Sequence, residues 1–276
     1  VVTTERVNRR WYFVPKTMAL TGKVVPSERK LGLHRVRVYE MQSRVKTSFD
    51  ASLPADPNAV RTLGRPYLSI GLSDVRGVAG NPVLTVDGAV LPLLQGVGGH
   101  RKESGLHAEL APALSGARLV MNTDLVLSLG GTETLAIAPI ADSNNIQLNS
   151  TWQHPHFDGS FLPRSRQIGA SGFNATWDIS SLAAATQAQY LEGEGSQDIE
   201  RLSLGLVEPV NIYSQVDRAS KYGFLFVMLT FVGFFMFELI KRVPVHPIQY
   251  LLVGLAIAIF FLLLVSLSEH IAFGVA

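Results

Sequence analysis

The 276-residue chain contains no cysteine. That excludes a disulfide framework, a thiolate nucleophile and any cysteine-ligated metal. The short motifs of common enzyme sites are missing too. There is no GxSxG nucleophile elbow, no HExxH zinc helix and no phosphate loop of the GxGxxG or GKS/GKT kind; the glycine-rich stretch Leu94–Gly105 matches neither of the last two. Ser104, Ser160 and Ser171 have no base partner recognisable from their spacing. Charge is sparse, at 17% of residues with a net value of +2. Residues 1–217 hold 20 basic and 20 acidic side chains, a balance that argues against a nucleic-acid partner. It hides an asymmetry: residues 1–50 carry 11 basic and 4 acidic groups, residues 51–217 carry 9 and 16. A basic start can meet anionic lipid headgroups. The simpler expectation is that two complementary halves of one folded domain pair with each other.

What the chain does have is apolar length near its end. Tyr222–Phe237 contains no charged residue, and Leu239 and Ile240 follow a single Glu238. Tyr222–Ile240 spans ~28 Å as a helix, about one hydrocarbon core. Lys241–Pro247 interrupts with two prolines, and Ile248–Ser268 is again long enough to span. Neither run carries the polar stripe of a buried soluble helix. The reading is a transmembrane hairpin, with helices at about 222–240 and 248–268 and a further one starting near Ile271. Lys241 and Arg242 in the short turn favour a cytoplasmic turn, and Arg218 and Lys221 flank the other end. Residues 1–217 then lie on the outer side. Because the chain opens at Val1 and closes inside a renewed apolar run, further membrane sequence is expected beyond Ala276 and before Val1.

The upstream part alternates. In Leu33–Phe49, Val36, Val38 and Val45 sit among Arg35, Arg37, Arg44 and Lys46, the period-two pattern of a long strand or bent hairpin with one wet face. Further strands are expected at Tyr67–Leu72, Pro82–Val86 and Ala89–Leu93 around an Asp87-Gly88 turn, Arg118–Leu129, Thr134–Pro139, Asn145–Trp152, Gly172–Ile179 and Leu202–Tyr213. Gly105–Leu114 reads as a short helix or irregular, Ser180–Leu191 as a short helix, and His154–Pro163 as an extended loop. Many short strands with turn signals and little helix give a mainly β, sandwich-like domain over residues 1–217, followed by the membrane helices of 218–276.

Two places invite chemistry. His154 and His156, with His107 and Asp158, offer ligands for zinc, as a metal-dependent hydrolase would need. A proline between the first two and the absence of HExxH favour a plainer account, in which Trp152, His154 and Phe157 dock the loop onto the sheet by packing. Glu269 and His270 form an ionisable pair between apolar segments. At membrane depth such a pair marks a transport path; at the outer interface it caps a turn, and the exhausted length of the second helix favours that. Glu238 has Lys241 and Arg242 three and four residues on, the spacing of a local ion pair.

Several blocks, taken in order, resemble the CreD family of bacterial inner-membrane proteins. They are DVRG at Asp74–Gly77, GLHAEL at Gly105–Leu110, WQHPHFDGSFLP at Trp152–Pro163, GFNATWDIS at Gly172–Ser180 and LVEPVNIY at Leu206–Tyr213, followed by the two apolar runs through His270. The likeness runs from about Trp11 to the end. It implies a helix before Val1, a large periplasmic domain, more helices after Ala276, and a role in envelope integrity and stress response under a two-component system. In that family the loop usually carries serine at the position of His156, which weakens the zinc reading. The resemblance implies no catalytic, cofactor-binding or metal-ligating residue. The expected partners are the lipid bilayer and envelope proteins or lipids, and the expected function is non-enzymatic; a transporter or channel-like protein is the alternative.

Overall fold

Apolar and polar residues alternate over so many positions near the start of the chain that two strands of uncommon length form there. A computed structural model describes residues 9–31, 34–53, 62–98, 104–111, 118–192, 199–206, 212–242 and 246–268. In it, β1 (Thr17–Leu31) and β2 (His34–Ser52) pair antiparallel from Thr17–Ser48 to Leu31–His34. Strands of 15 and 19 residues exceed the usual five or six several-fold. The hairpin gains β8 (Arg118–Thr132), β4 (Val78–Val86) and β5 (Ala89–Leu91) on the β2 side. On the β1 side come β10 (Ser143–Ser150), β13 (Gly172–Ser180) and β12 (Ser165–Gly169). The eight-stranded order is β12-β13-β10-β1-β2-β8-β4-β5, antiparallel except for the β1–β10 pair.

Register converts the alternation into two faces. One row of directly opposed residues crosses seven strands as Trp177, Ile146, Leu20, Val45, Leu125, Leu84 and Leu91. One position along, the opposite face reads Asp178, Asn145, Ala19, Lys46, Asp124, Thr85 and Val90. The apolar face needs a cover, and two three-stranded sheets supply it. The first is β11 (His156–Gly159), β14 (Leu202–Gly205) and β9 (Thr134–Ile137). Its Leu135, Leu202 and Leu204 pack with Ile146, Leu148, Phe173 and Trp177. The second is β3 (Tyr67–Gly71), β7 (Gly105–Glu109) and β6 (Leu94–Gln95). Leu68, Ile70 and Ala108 there meet Leu84, Met121, Leu125 and Leu127. Val45 and Leu129 touch both clusters and join them. The result is a sandwich of one large sheet against two small ones. Each fully buried Leu or Ile contributes about 1.5–3 kcal/mol.

The polar face is neutralised in place. Arg44 pairs with Asp124 at 2.6 Å, Lys16 with Asp142 at 2.8 Å and Arg118 with Asp50 at 2.9 Å. The first two join the basic early segment to the acidic later one, and the third joins an early acid to a later base. Polar groups inside the core are also satisfied: Asn144 accepts from the Ala141 N–H and donates to the carbonyls of Ala141 and Ile179.

Three local expectations fail for physical reasons. Gly105–Glu109 is strand, neither helix nor irregular, because β3 supplies a ladder partner for each of its residues. His156–Gly159, inside the expected loop, pairs with β14 and so becomes strand. The strand expected to run to Tyr213 ends at Gly205, and α2 (Ile212–Lys241) begins ten residues before Tyr222. No proline or glycine stands between Ile212 and Tyr222, so a helix nucleated in the apolar run propagates backwards. The Ser180–Leu191 helix splits into a 3-10 turn at Ser181–Ala183 and α1 (Thr186–Glu192). At the β4–β5 turn, Asp87 and Gly88 both take positive φ, 46° and 87°, which is the turn that matches strand twist.

By contacts the chain divides into Val1–Val207 and Glu208–Ala276. In the second unit α2 packs against α3 (Pro247–Ser268), and Lys221–Lys241 and Pro247–Leu264 are each long and apolar enough to cross a membrane. Arg242 at φ 50° stops α2 in the left-handed cap position. His246 starts α3 by accepting from the Ile248 N–H at 3.3 Å, with Pro247 at the first helical position.

Candidate functional site

Beyond Ser150 the chain leaves β10 and folds back along the end of the sheet as an arm, residues 151–163. Its first anchor is Trp152. The Ser150 hydroxyl accepts from the Trp152 N–H at 3.1 Å, and the indole N–H donates to the His154 carbonyl at 2.7 Å. The Arg37 guanidinium of β2 lies over the indole, 4.1 Å from the ring centroid, and also bonds Glu28 at 3.0 Å. The imidazole of His154 stands edge-on to Trp152 at 6.1 Å. The second anchor is Phe157. It meets Phe173 and Trp177 edge-on at 5.6 and 5.7 Å, the spacing favoured by aromatic quadrupoles. A third contact closes the arm, because the buried Trp177 indole donates to the Phe161 carbonyl at 3.2 Å. Nearby, the Tyr39 hydroxyl donates to the Thr134 carbonyl at 3.0 Å, and burial pushes its phenol pKa up.

Trp152 and Phe157 are half-buried against the core, whereas His154, edge-on to Trp152, and His156 are exposed. His107 is elsewhere, on β7, where Nδ1 donates to the Gly96 carbonyl at 2.8 Å and the ring lies edge-on to Tyr67. Among the described residues no three His, Asp or Glu side chains gather as a metal would need. Glu269 and His270, and the helix expected from Ile271, lie outside the described residues. Glu238 makes a contact that its spacing did not suggest. It accepts a hydrogen bond from Tyr250 of α3 at 3.0 Å rather than from Lys241 or Arg242, and Phe231 and Phe234 flank the Tyr250 ring. Arg37 and Tyr250 were missed because both partnerships are long-range; only the placement of Arg37 within an alternating run hinted at a face.

What the arm can do is hold a short extended segment on the sheet and present exposed side chains, among them Leu162, at one end of the domain. Nothing in it pairs a nucleophile with a base.

Comparison with known proteins gives a consistent result at the level of sequence. The family model described as Inner membrane protein CreD matches residues 1–276. The Inner membrane protein CreD of Escherichia coli (strain K12) is 34% identical over 268 residues, which is 96% of this chain and 59% of that protein. The chain thus spans about three fifths of the length of the curated relative it matches. Among solved structures, the M1 zinc metallopeptidase from Deinococcus radiodurans aligns with a TM-score of 0.34 at 11% identity, covering 70% of this chain and 42% of that one. A mutant of it bound to a Tyr-Ser-Ala substrate aligns with a TM-score of 0.36 and the same coverage. Scores that low carry no inference about fold or chemistry.

Proposed function

Because the chain belongs to the CreD family of inner membrane proteins, we propose that it serves the bacterial envelope from a multi-pass position, with its β-rich unit on the periplasmic side. In this reading it supports envelope integrity and the stress response by contact with lipids or envelope proteins, not by turning over a substrate. The observation that carries the reading is the pair of apolar helices joined by a short turn holding Lys241 and Arg242. Positive residues in a short loop favour the cytoplasm. With the turn inside, the start of α2 and the sheet unit that precedes it in sequence fall outside.

The test uses single cysteines, which the chain itself does not contain. Leu182, 97% exposed in the sheet unit, is replaced in one variant, and His246, at the helix turn, in another. Leu182→Cys reacts with an impermeant thiol reagent in intact spheroplasts, whereas His246→Cys reacts only after lysis. The opposite pattern inverts the topology and removes the periplasmic reading.

A further inference from the structure

The outer face of the large sheet changes character part-way across. Along β8, β4 and β5 it is partly apolar. Val126 and Val83 oppose one another there, and with Val90 they stand 50%, 44% and 69% exposed. Along β12, β13, β10, β1 and β2 the same face is rich in carboxamides. One row of opposed residues reads Gln167, Asn174, Asn149, Lys23 and Gln42, each of them exposed. The next row reads Ser165, Thr176, Gln147, Thr21 and Arg44. None of the ten carries an apolar side chain.

A wet strand face needs only to be polar, and threonine meets that need while favouring the strand. Asparagine does not, because its short amide competes for backbone hydrogen bonds, and strands are depleted in it. Yet Asn149 and Asn174 stand directly opposed on neighbouring strands in the middle of the strip. The core gains nothing from them, since it is their neighbours Leu148, Phe173 and Ala175 that point inward. Charge does not explain the choice either. The charged groups of the two rows are Lys23 and Arg44, and Arg44 is neutralised by Asp124 at 2.6 Å. What each carboxamide adds is two donor hydrogens and an acceptor oxygen on one planar group.

We propose that the strip of Gln167, Asn174, Asn149, Gln147 and Gln42 binds an uncharged glycan of N-acetylated sugars, laid across the strands. Sugar hydroxyls both donate and accept, and an acetamido group offers the N–H and C=O that a carboxamide pairs with. The near-neutral strip complements a polymer without charge, whereas a polyanion would call for unpaired cations. A protein partner anchors on apolar side chains, and on this face those lie on the valine half. Five strands about 4.8 Å apart make the strip roughly 19 Å long, room for a short oligosaccharide. The glycan goes beyond the function proposed above and does not depend on which side of the membrane the sheet unit occupies.

The full chain is reconstituted in nanodiscs and titrated into an end-labelled tetrasaccharide of N-acetylglucosamine, with fluorescence anisotropy as the readout. Binding is saturable. Asn149→Val with Asn174→Val removes two hydrogen-bonding side chains, at about two- to tenfold each, and lowers affinity about tenfold or more. Valine favours strands, so the same variant holds or raises Tm, which separates loss of binding from loss of fold. Asn149→Gln with Asn174→Gln keeps both carboxamides and keeps most of the affinity. Val90→Thr, on the valine half, leaves it unchanged. The absence of saturable binding overturns the proposal, as does an affinity that survives the paired valine substitution. So does tighter binding of a sulfated tetrasaccharide, which would assign the face to its cations. Dimers that the paired valine substitution dissolves would assign the strip to a second copy of the chain instead. The cysteine labelling at Leu182 and His246 is read separately, so a strip that binds no glycan leaves that topology standing.

Discussion

Trp177 should be the most expensive single truncation in the sheet unit, and the structure says by how much. It is 1% exposed, sits in the inner row beside Ile146, contacts Phe157 edge-on and donates to the Phe161 carbonyl. An indole removes roughly 150–250 Å² from water, worth about 4–6 kcal/mol at 25 cal/mol per Å² before relaxation. Measured tryptophan-to-alanine costs in cores run about 3–5 kcal/mol, since the cavity partly collapses. Losing the N–H alone leaves the Phe161 carbonyl short of a donor, at about 1 kcal/mol. Trp177→Phe should therefore cost about 1–2 kcal/mol and Trp177→Ala about 3–5. For a unit of about 200 residues each kcal/mol moves Tm by about 2–4 °C. The alanine variant should melt roughly 6–20 °C lower, the phenylalanine variant roughly 2–8 °C lower.

The assay is thermal unfolding of the full chain in nanodiscs, read by near-ultraviolet circular dichroism, with hydrogen exchange at His156–Gly159 as the local probe. Because Phe157 and Phe161 both lean on Trp177, exchange in β11 should accelerate in Trp177→Ala more than in β8. Two results refute the reasoning. A Tm loss under about 3 °C for Trp177→Ala means that the indole is not a core anchor. A large Tm loss with unchanged exchange in β11 means that the arm is held by something other than this clasp.

Acid should loosen the polar face of the sheet. The carboxyls of Asp142, Asp124 and Asp50 are held below the usual range by hydrogen bonds from Lys16, Arg44 and Arg118. A depressed carboxylate stabilises fully above its unfolded pKa of about 3.9 and loses that contribution as pH falls through the lower folded value. Tm should be flat from neutrality to about pH 5 and decline below about pH 4, less steeply in Asp142→Asn; a decline centred near pH 6 would point to histidines instead. In the helix pair, Tyr250→Phe should cost about 0.5–1.5 kcal/mol by loss of the interhelical bond, and Glu238→Gln, which keeps an acceptor, less than half of that. Detergent unfolding of the pair checks it, and a collapse in Glu238→Gln alone would show that the charge, not the bond, matters.

How much of this was legible beforehand depends on whether the deciding contact is local. The apolar runs ending at Ile240 and Ser268 announce themselves, because spanning length is a property of consecutive residues. The Asp87-Gly88 hairpin and the alternation of β2 are readable for the same reason. The strand at Gly105–Glu109 was not, since GLHAE suits either state and only the ladder to Tyr67–Gly71 decides it. The same holds for Glu238. Lys241 and Arg242 are its near neighbours in sequence, yet the packing of α2 on α3 brings Tyr250 to it first.

The early basic residues carry that lesson furthest. Composition alone assigns 11 basic groups to residues 1–50 and offers two uses for them, pairing within the domain or contact with a charged partner. Register splits the set. Lys16 and Arg44 fall where the sheet is wide, and strands from later in the chain bring Asp142 and Asp124 to them. Arg29, Lys30 and Arg35 fall beyond the points where β10 and β8 stop pairing with the hairpin. That length mismatch between one hairpin and its neighbours is set by where Ser150 ends β10 and Thr132 ends β8, far along the chain from the hairpin itself.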